Sequence, residues 1–248
     1  FIGVVWLVGS ILVPETYGPV LLRKIAKRLT RKTGKVYTSV LELNNGGVKA
    51  SKIFSKTLKR PWVLLFWEPI VLIASIYLSI VYATIYMFLG AFPIVYQQER
   101  GWNEGIGGLA FLGLAVGMLI GLVYTILDNK RYTKLGNAAT PEDRLPPGML
   151  GAVALPVGMF AFAWTSYPSI HWSVSIILSA PFGFGSVLIF MSCLNYLIDA
   201  YTIYAASVLA ATAMLRSLFG AAFPMFTSQM YANLGTPWAS SIPAFLTV

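Results

Sequence analysis

Six side chains or small residues of kinds that handle solutes inside a membrane, Ser75, Ser79, Tyr82, Tyr86, Gly90 and Pro93, follow one another at spacings of 4, 3, 4, 4 and 3. On a helix that spacing places them on one stripe. A stripe this polar does not face lipid. It lines a water- or substrate-filled cavity, where the tyrosines present a stacking face and a hydroxyl, or it is a helix contact closed by interhelical hydrogen bonds. Arg216 lies near the middle of a later apolar run, where a charge costs at least about 2.5–3.5 kcal/mol, so it must face protein or water. There it acts as a counter-charge for a substrate or a carboxylate elsewhere, or as a clamp on backbone carbonyls. Asp199 is not its partner in a straight helix, because the two would stand about 25 Å apart; a solvated or capping carboxylate at a turn is expected instead. Asn195 and Tyr196 are further polar candidates for a substrate pathway.

Other residues shape helices rather than bind. Pro93 is a candidate kink and gate, since its ring removes a backbone hydrogen bond. Pro181, with Gly183 and Gly185 behind it, makes its helix easy to bend. Gly113, Gly117 and Gly121 form a small-xxx-small face, which admits another helix backbone at close range and suits helices that rock against each other. Glu68 is expected to be an interfacial anchor or an N-terminal helix charge. His171 stands alone in a short loop and Cys193 is the single cysteine, so neither a metal centre nor a disulfide framework is expected. No nucleophile motif, phosphate-binding loop or carboxylate pair occurs. An enzyme is not expected, nor a cofactor.

The elements that hold these residues follow from composition. Of 248 residues 57% are hydrophobic and 11% charged, with a mean hydropathy of +0.71; that leaves too little polar surface for a soluble globule. Five apolar runs, at 69–96, 105–127, 148–166, 172–198 and 200–227, are each long enough to cross a bilayer core. The last two are divided at Asp199, because one helix through both would overshoot any bilayer. The apolar stretches 1–13 and 238–248 read as parts of two more helices, giving seven passes within a longer protein. Segment 14–61 holds 12 of the 18 basic residues, and segment 128–147 holds Lys130, Arg131, Lys134 and Arg144. The intervening connections 97–104, 167–171 and 228–237 are nearly bare, so the basic ones are expected in the cytoplasm. The net charge of +9 therefore marks topology rather than nucleic-acid binding. Behind Pro19, Leu21, Leu22, Ile25, Ala26 and Leu29 share one helical face and six basic residues share the other, with Gly34 as the stop. This is an amphipathic interfacial helix that meets anionic lipid or orients two halves of a protein, or simply marks topology. The stretch with Asn44, Asn45, Gly46 and Gly47 reads as a flexible linker.

Several stretches resemble fungal major facilitator transporters of the drug:proton antiporter group. They are 14–22, reading PETYGPVLL before the basic helix; Arg60-Pro61-Trp62 through Glu68-Pro69-Ile70; Pro141-Glu142-Asp143-Arg144-Leu145; Asp199-Ala200-Tyr201 with Tyr204-Ala205-Ala206-Ser207; and 216–224, reading RSLFGAAFP. The resemblance implies an all-α membrane protein, the C-terminal half of a twelve-helix major facilitator fold with partial first and last helices. Residues 1–13 would be the end of helix 6, 14–61 a basic cytoplasmic central loop with an amphipathic helix, and 62–248 helices 7 to 11 with the start of 12. It also implies a missing N-terminal six-helix half, against which this one rocks around a central cavity walled by helices 7, 8, 10 and 11. Tyr82, Tyr86, Asn195, Tyr196 and Arg216 then belong to the substrate pathway, and Pro224 joins Pro93, Pro181 and the glycine face as a gating or packing position. Asp128 and Arg131 resemble a degenerate copy of the family's Gly-Asp-Arg-Gly-Arg loop motif, without its second Gly and its Arg spacing. The implied function is proton-coupled export of hydrophobic or cationic small molecules by alternating access, in a multi-pass protein of the plasma membrane whose partners are substrate, protons and lipid. A polyamine or other solute carrier of the same fold, or a non-transporting scaffold or receptor, is the alternative.

Overall fold

A computed structural model describes residues 2–16, 18–38 and 50–248. The chain divides into two compact units, Phe1–Thr57 and Leu58–Val248. The first holds α1 (Ile2–Leu12) and α2 (Gly18–Thr33). As the sequence predicts, α2 stops at Gly34, whose φ of 68° suits a residue without a side chain. Its apolar face is open: Leu22 and Ile25 are 52% and 53% exposed. The expected linker around Asn44 lies outside the described residues.

Helix α3 (Ala50–Trp67) runs through Pro61, past the boundary expected at 61/62. It ends at Glu68, whose extended backbone (φ −103°, ψ 102°) is what a following proline imposes. Pro69 opens α4 (Pro69–Phe92). Then come α5 (Glu104–Leu109) and α6 (Phe111–Leu135), α7 (Pro146–Thr165), α8 (Trp172–Leu178) and α9 (Ala180–Ala200), and α10 (Ala205–Leu246). Among the described residues five helical stretches are long and apolar enough to cross a membrane: Pro69–Glu99, Glu104–Leu135, Pro141–Thr165, Trp172–Ala200 and Ala205–Leu246. They correspond one to one with the five predicted runs.

Three local expectations are corrected. The connection predicted at 228–237 is helical as far as Leu234, and the chain breaks only at Gly235 (φ 73°, ψ 163°), a conformation that glycine alone adopts without strain. The turn placed at Asp199 lies at 201–204, leaving Asp199 inside α9. At Pro93 the helix does not simply kink: Pro93–Glu99 continues as a π-helix. Pro93 has no N–H to give the Leu89 carbonyl, and a wider hydrogen-bond spacing accommodates the loss.

The interior of the second unit is aromatic. Phe88 of α4 meets Phe162 of α7 at 4.6 Å and Phe182 of α9 at 4.3 Å between ring centroids, and all three are fully buried. Helix α9 packs between α6 and α7, and α10 packs chiefly on α4. Close approach of α6 needs the glycine face. A Cβ on Gly113 or Gly117 would overlap the backbone carbonyl of Ile176 or Ala180, and one on Gly121 would reach 3.0 Å from the Phe184 carbonyl oxygen. Pro181 sits in the first turn of α9, directly after the interruption at Ser179 that divides α8 from α9.

Candidate substrate pathway

Helices α4 and α10 run side by side in one direction and in constant register. Ser75 and Thr212, 137 positions apart, share a buried 2.9 Å hydrogen bond. At the same offset Gly90 faces Thr227, and farther along Thr236 donates to Glu99 at 2.5 Å. The predicted stripe therefore points toward α10, and its inner third serves the contact: Ser75 and Ser79 are fully buried, Ser79 donating to the Ser75 carbonyl at 2.6 Å.

Between these pins the stripe opens. The Tyr82 and Tyr86 rings lie 4.8 Å apart with their hydroxyls 3.0 Å apart, and Tyr86 is 40% exposed. The Arg216 guanidinium carbon sits 5.0 Å from the Tyr82 ring centroid and 5.6 Å from that of Phe190 on α9, and Phe190 meets Tyr82 edge-on at 6.1 Å. Asp128 pairs with Arg131 and Arg144 with Asp199, and no ion pair among the described residues involves Arg216. Gly220, one turn beyond Arg216 on the same face, lets the Tyr82 ring in, since a Cβ there would stand 2.8 Å from its Cε1. Pro224 lies four residues farther inside α10 and cannot donate to the Gly220 carbonyl. The three helices thus gather an aromatic wall, a hydroxyl pair and a fixed positive charge, an arrangement suited to holding an amphipathic solute.

Asn195 and Tyr196 are placed elsewhere. Asn195 lines a cleft of about 320 Å³ at the end carrying the basic connections, with Thr125, Asp128, Asn129, Arg144 and Ser192. Tyr196 packs against a small apolar cluster of Leu65, Val71, Leu197, Val208 and Ala211. Around the cleft a polar network ties α6 and α9 to the segment just ahead of α7, Pro141–Arg144. Arg144 pairs with Asp199 at 2.9 Å, donates to Asn129 at 2.8 Å and lies 3.5 Å over the Tyr132 ring, whose hydroxyl donates to Asp199 at 3.0 Å. Asp199 is thus a bridging carboxylate, not the solvated or capping one expected. Asp128 pairs with Arg131 at 2.9 Å, and Arg131 donates to the Asp143 carbonyl at 3.0 Å. Beside them Tyr201 donates to Glu68 at 3.2 Å. Desolvation, then that hydrogen bond and the carboxylate charge, hold the Tyr201 phenol above its ordinary value.

At the opposite end Arg100 donates to the carbonyls of Tyr167 and Ile170 at 2.7 and 2.9 Å, fastening the short connection ahead of α8. His171 caps α8, its Nδ1 standing 2.7 Å from the Ser173 hydroxyl. Sequence reasoning missed Phe190, Gly220, Tyr132 and the bridging role of Arg144. A phenylalanine or glycine in an apolar helix carries no signal of its own, whereas Arg144 and Asp199 were two charges on adjacent helix ends that a pairing argument could have joined.

Comparison with known proteins identifies the family. The profile of the Major Facilitator Superfamily matches residues 1–224. All of the chain aligns with the major facilitator-type transporter sorT of Penicillium rubens at 64% identity, over 48% of that protein. It also aligns in full with the MFS-type efflux pump MFS2 of Trichophyton rubrum at 61% and with the multidrug transporter mdrA of Aspergillus fumigatus at 55%, over 42% of each. The chain spans about half the length of these relatives, corresponding to their C-terminal half. No solved structure matches significantly. These relatives are named as transporters or efflux pumps, which are not enzymes, and the chain belongs to the Major Facilitator Superfamily.

Proposed function

We propose that this chain forms the C-terminal wall of a secondary active transporter that exports small hydrophobic molecules across the plasma membrane, driven by protons and working by alternating access against a six-helix N-terminal half. The observation that carries the reading is the half-open cluster of Tyr82, Tyr86, Phe190 and Arg216 on three neighbouring helices. It offers a guest ring faces, hydroxyls and a charge side by side, while the α4–α10 contact at Ser75, Ser79 and Thr212 is closed. The tightly packed glycine face of α6 on α8 and α9 and the polar network around Arg144 suit a bundle that moves as a body. In this scheme Asp128 and Arg131 brace the inner ends of α6 and α7, Pro93 and Pro224 supply the soft points in α4 and α10, and the apolar face of α2 rests on membrane lipid. The relatives named as efflux pumps support the outward direction.

The test is gradient-driven flux. The full-length transporter is reconstituted in proteoliposomes, a pH gradient is imposed, and accumulation of fluorescein and of tetramethylrhodamine methyl ester is followed, with protein-free liposomes and an ionophore as controls. Protein- and gradient-dependent accumulation of either dye supports the proposal. Folded, inserted protein that moves neither dye refutes it.

A further inference from the structure

We propose that the guest of this site is an organic anion: the guanidinium of Arg216, held against the Tyr82 and Phe190 rings beside the Tyr82–Tyr86 hydroxyl pair, receives an ionised acid group such as a carboxylate. The inference rests on the transport reading above and narrows its substrate class. It departs from the expectation of cationic compounds. That expectation relies on ring faces free to take a cation, but in the structure Arg216 already lies over the Tyr82 and Phe190 rings, 5.0 and 5.6 Å from their centroids.

Three observations point the same way. First, Arg216 has no acidic partner among the described residues. Of the seven acidic residues beyond position 58, six lie in end turns of helices or in connections, and Asp128, two turns inside the end of α6, is paired with Arg131; those nearest the ends of α4, α9 and α10 are engaged as well, Glu68 by Tyr201, Glu99 by Thr236, and Asp199 by Arg144 and Tyr132. A second cation brought to the cluster meets repulsion that no carboxylate among the described residues offsets. Second, the hydrogen-bonding capacity of the guanidinium is unspent. Ring contacts hold it in place, yet no protein acceptor among the described residues takes any of its five N–H donors. A planar fork fixed in this way is shaped for bidentate binding of a carboxylate. Third, the neighbouring hydroxyls have a proton to give. Tyr82 and Tyr86 bring two and use one between them, which leaves one phenol proton of the pair free to donate. The apolar body of the guest would lie along the Tyr86 ring, so the matching ligand is an aromatic or otherwise flat molecule that ends in an acid.

The two xanthene dyes test the charge preference, since they share a ring system and differ in sign. Equilibrium binding to the purified full-length transporter in nanodiscs is read by fluorescence anisotropy, and exchange without a gradient by counterflow in proteoliposomes. Fluorescein is expected to bind and exchange, with the cationic ester about tenfold weaker or worse. Arg216→Gln should weaken fluorescein binding about tenfold or more at an unchanged melting temperature, Arg216→Lys should restore part of it, and Tyr86→Phe should weaken it severalfold. Equal binding of both dyes, or fluorescein binding untouched by Arg216→Gln, overturns the inference while leaving transport intact. A melting temperature that falls in Arg216→Gln and recovers in Arg216→Lys, with dye preference unchanged, makes Arg216 a structural partner of another helix and also overturns it. If neither dye is carried, the transport reading fails, and the binding measurement still decides the anion site: Arg216-dependent fluorescein binding supports it and its absence overturns it.

Discussion

Gly220→Ala isolates the contact on which the candidate site is built. The added methyl group would stand 2.8 Å from Cε1 and 2.9 Å from Cδ1 of Tyr82 and 3.7 Å from Cδ2 of Tyr86. Carbon–carbon contacts settle near 3.5–4.0 Å, so the Tyr82 ring must retreat by roughly 0.7–1.2 Å or α10 must lift from α4. Overpacking of this kind costs about 1–3 kcal/mol, and the better helix propensity of alanine returns up to about 1 kcal/mol. The ring cannot retreat alone, because Tyr86 packs on it at 4.8 Å and the guanidinium of Arg216 lies 5.0 Å from its centroid. Weakening that cation–π contact removes about 0.5–2 kcal/mol of positioning, a loss of roughly two- to thirtyfold in affinity for a guest that needs Arg216 in place. A double-mutant cycle reads this out. In full-length protein Gly220→Ala should raise the KM for the transported dye and lower the melting temperature modestly, while in a Tyr82→Ala background the same substitution should do neither. An equal effect of Gly220→Ala in both backgrounds would show that the added methyl group acts on something other than the Tyr82 ring, and the account of the site would be wrong.

Further outcomes are expected. Tyr86→Ala should change which dyes are carried more than it changes membrane abundance, because the ring is 40% exposed and supports little packing; equal loss of protein and transport would assign it to packing. Gly117→Ala should act in the opposite sense, since its Cβ would overlap the Ala180 backbone carbonyl and backbone cannot swing aside; size-exclusion profiles should show a destabilisation of at least about 1–3 kcal/mol, and unaltered thermal stability would contradict the close α6–α9 approach. Arg144→Ala and Asp199→Asn should each slow transport, with a double variant little worse than either. The pair is partly exposed, at 20% and 30% for the two side chains, so a coupling of about 1 kcal/mol or less is expected from a stability cycle, and full additivity would remove the bridge.

Much of this molecule can be read from its residues in order. Span 69–96 was legible because a bilayer core admits a continuous apolar helix and little else, and length and hydropathy are local properties. The stop of α2 at Gly34 and the start of α4 at Pro69 were legible for the same reason: each depends on the backbone preference of one or two neighbouring residues. The end of α10 was not. Ser228, Gln229, Asn233 and Gly235 read as a polar connection, but Tyr231 is buried with its hydroxyl 2.7 Å from Ser240, and that contact across the Gly235 break keeps the segment helical for two further turns.

The candidate site divides along the same line. Tyr82 and Tyr86 stand four apart on one helix and Arg216 carries a charge where lipid forbids one, so their types and positions alone made them candidates. That Asn195 and Tyr196 would lie in other surroundings, that Phe190 would complete the wall, and that Gly220 would make room for Tyr82 depend on the rotation of α9 and α10 about their axes. Hydropathy constrains that rotation weakly in helices that are apolar nearly all round. The register that sets it is a contact between residues 137 positions apart, pinned by Ser75–Thr212 at one end and Glu99–Thr236 at the other. Composition and local order made this chain a set of membrane helices with a charge in an unusual place; only the packing of one helix against another determined what that charge faces.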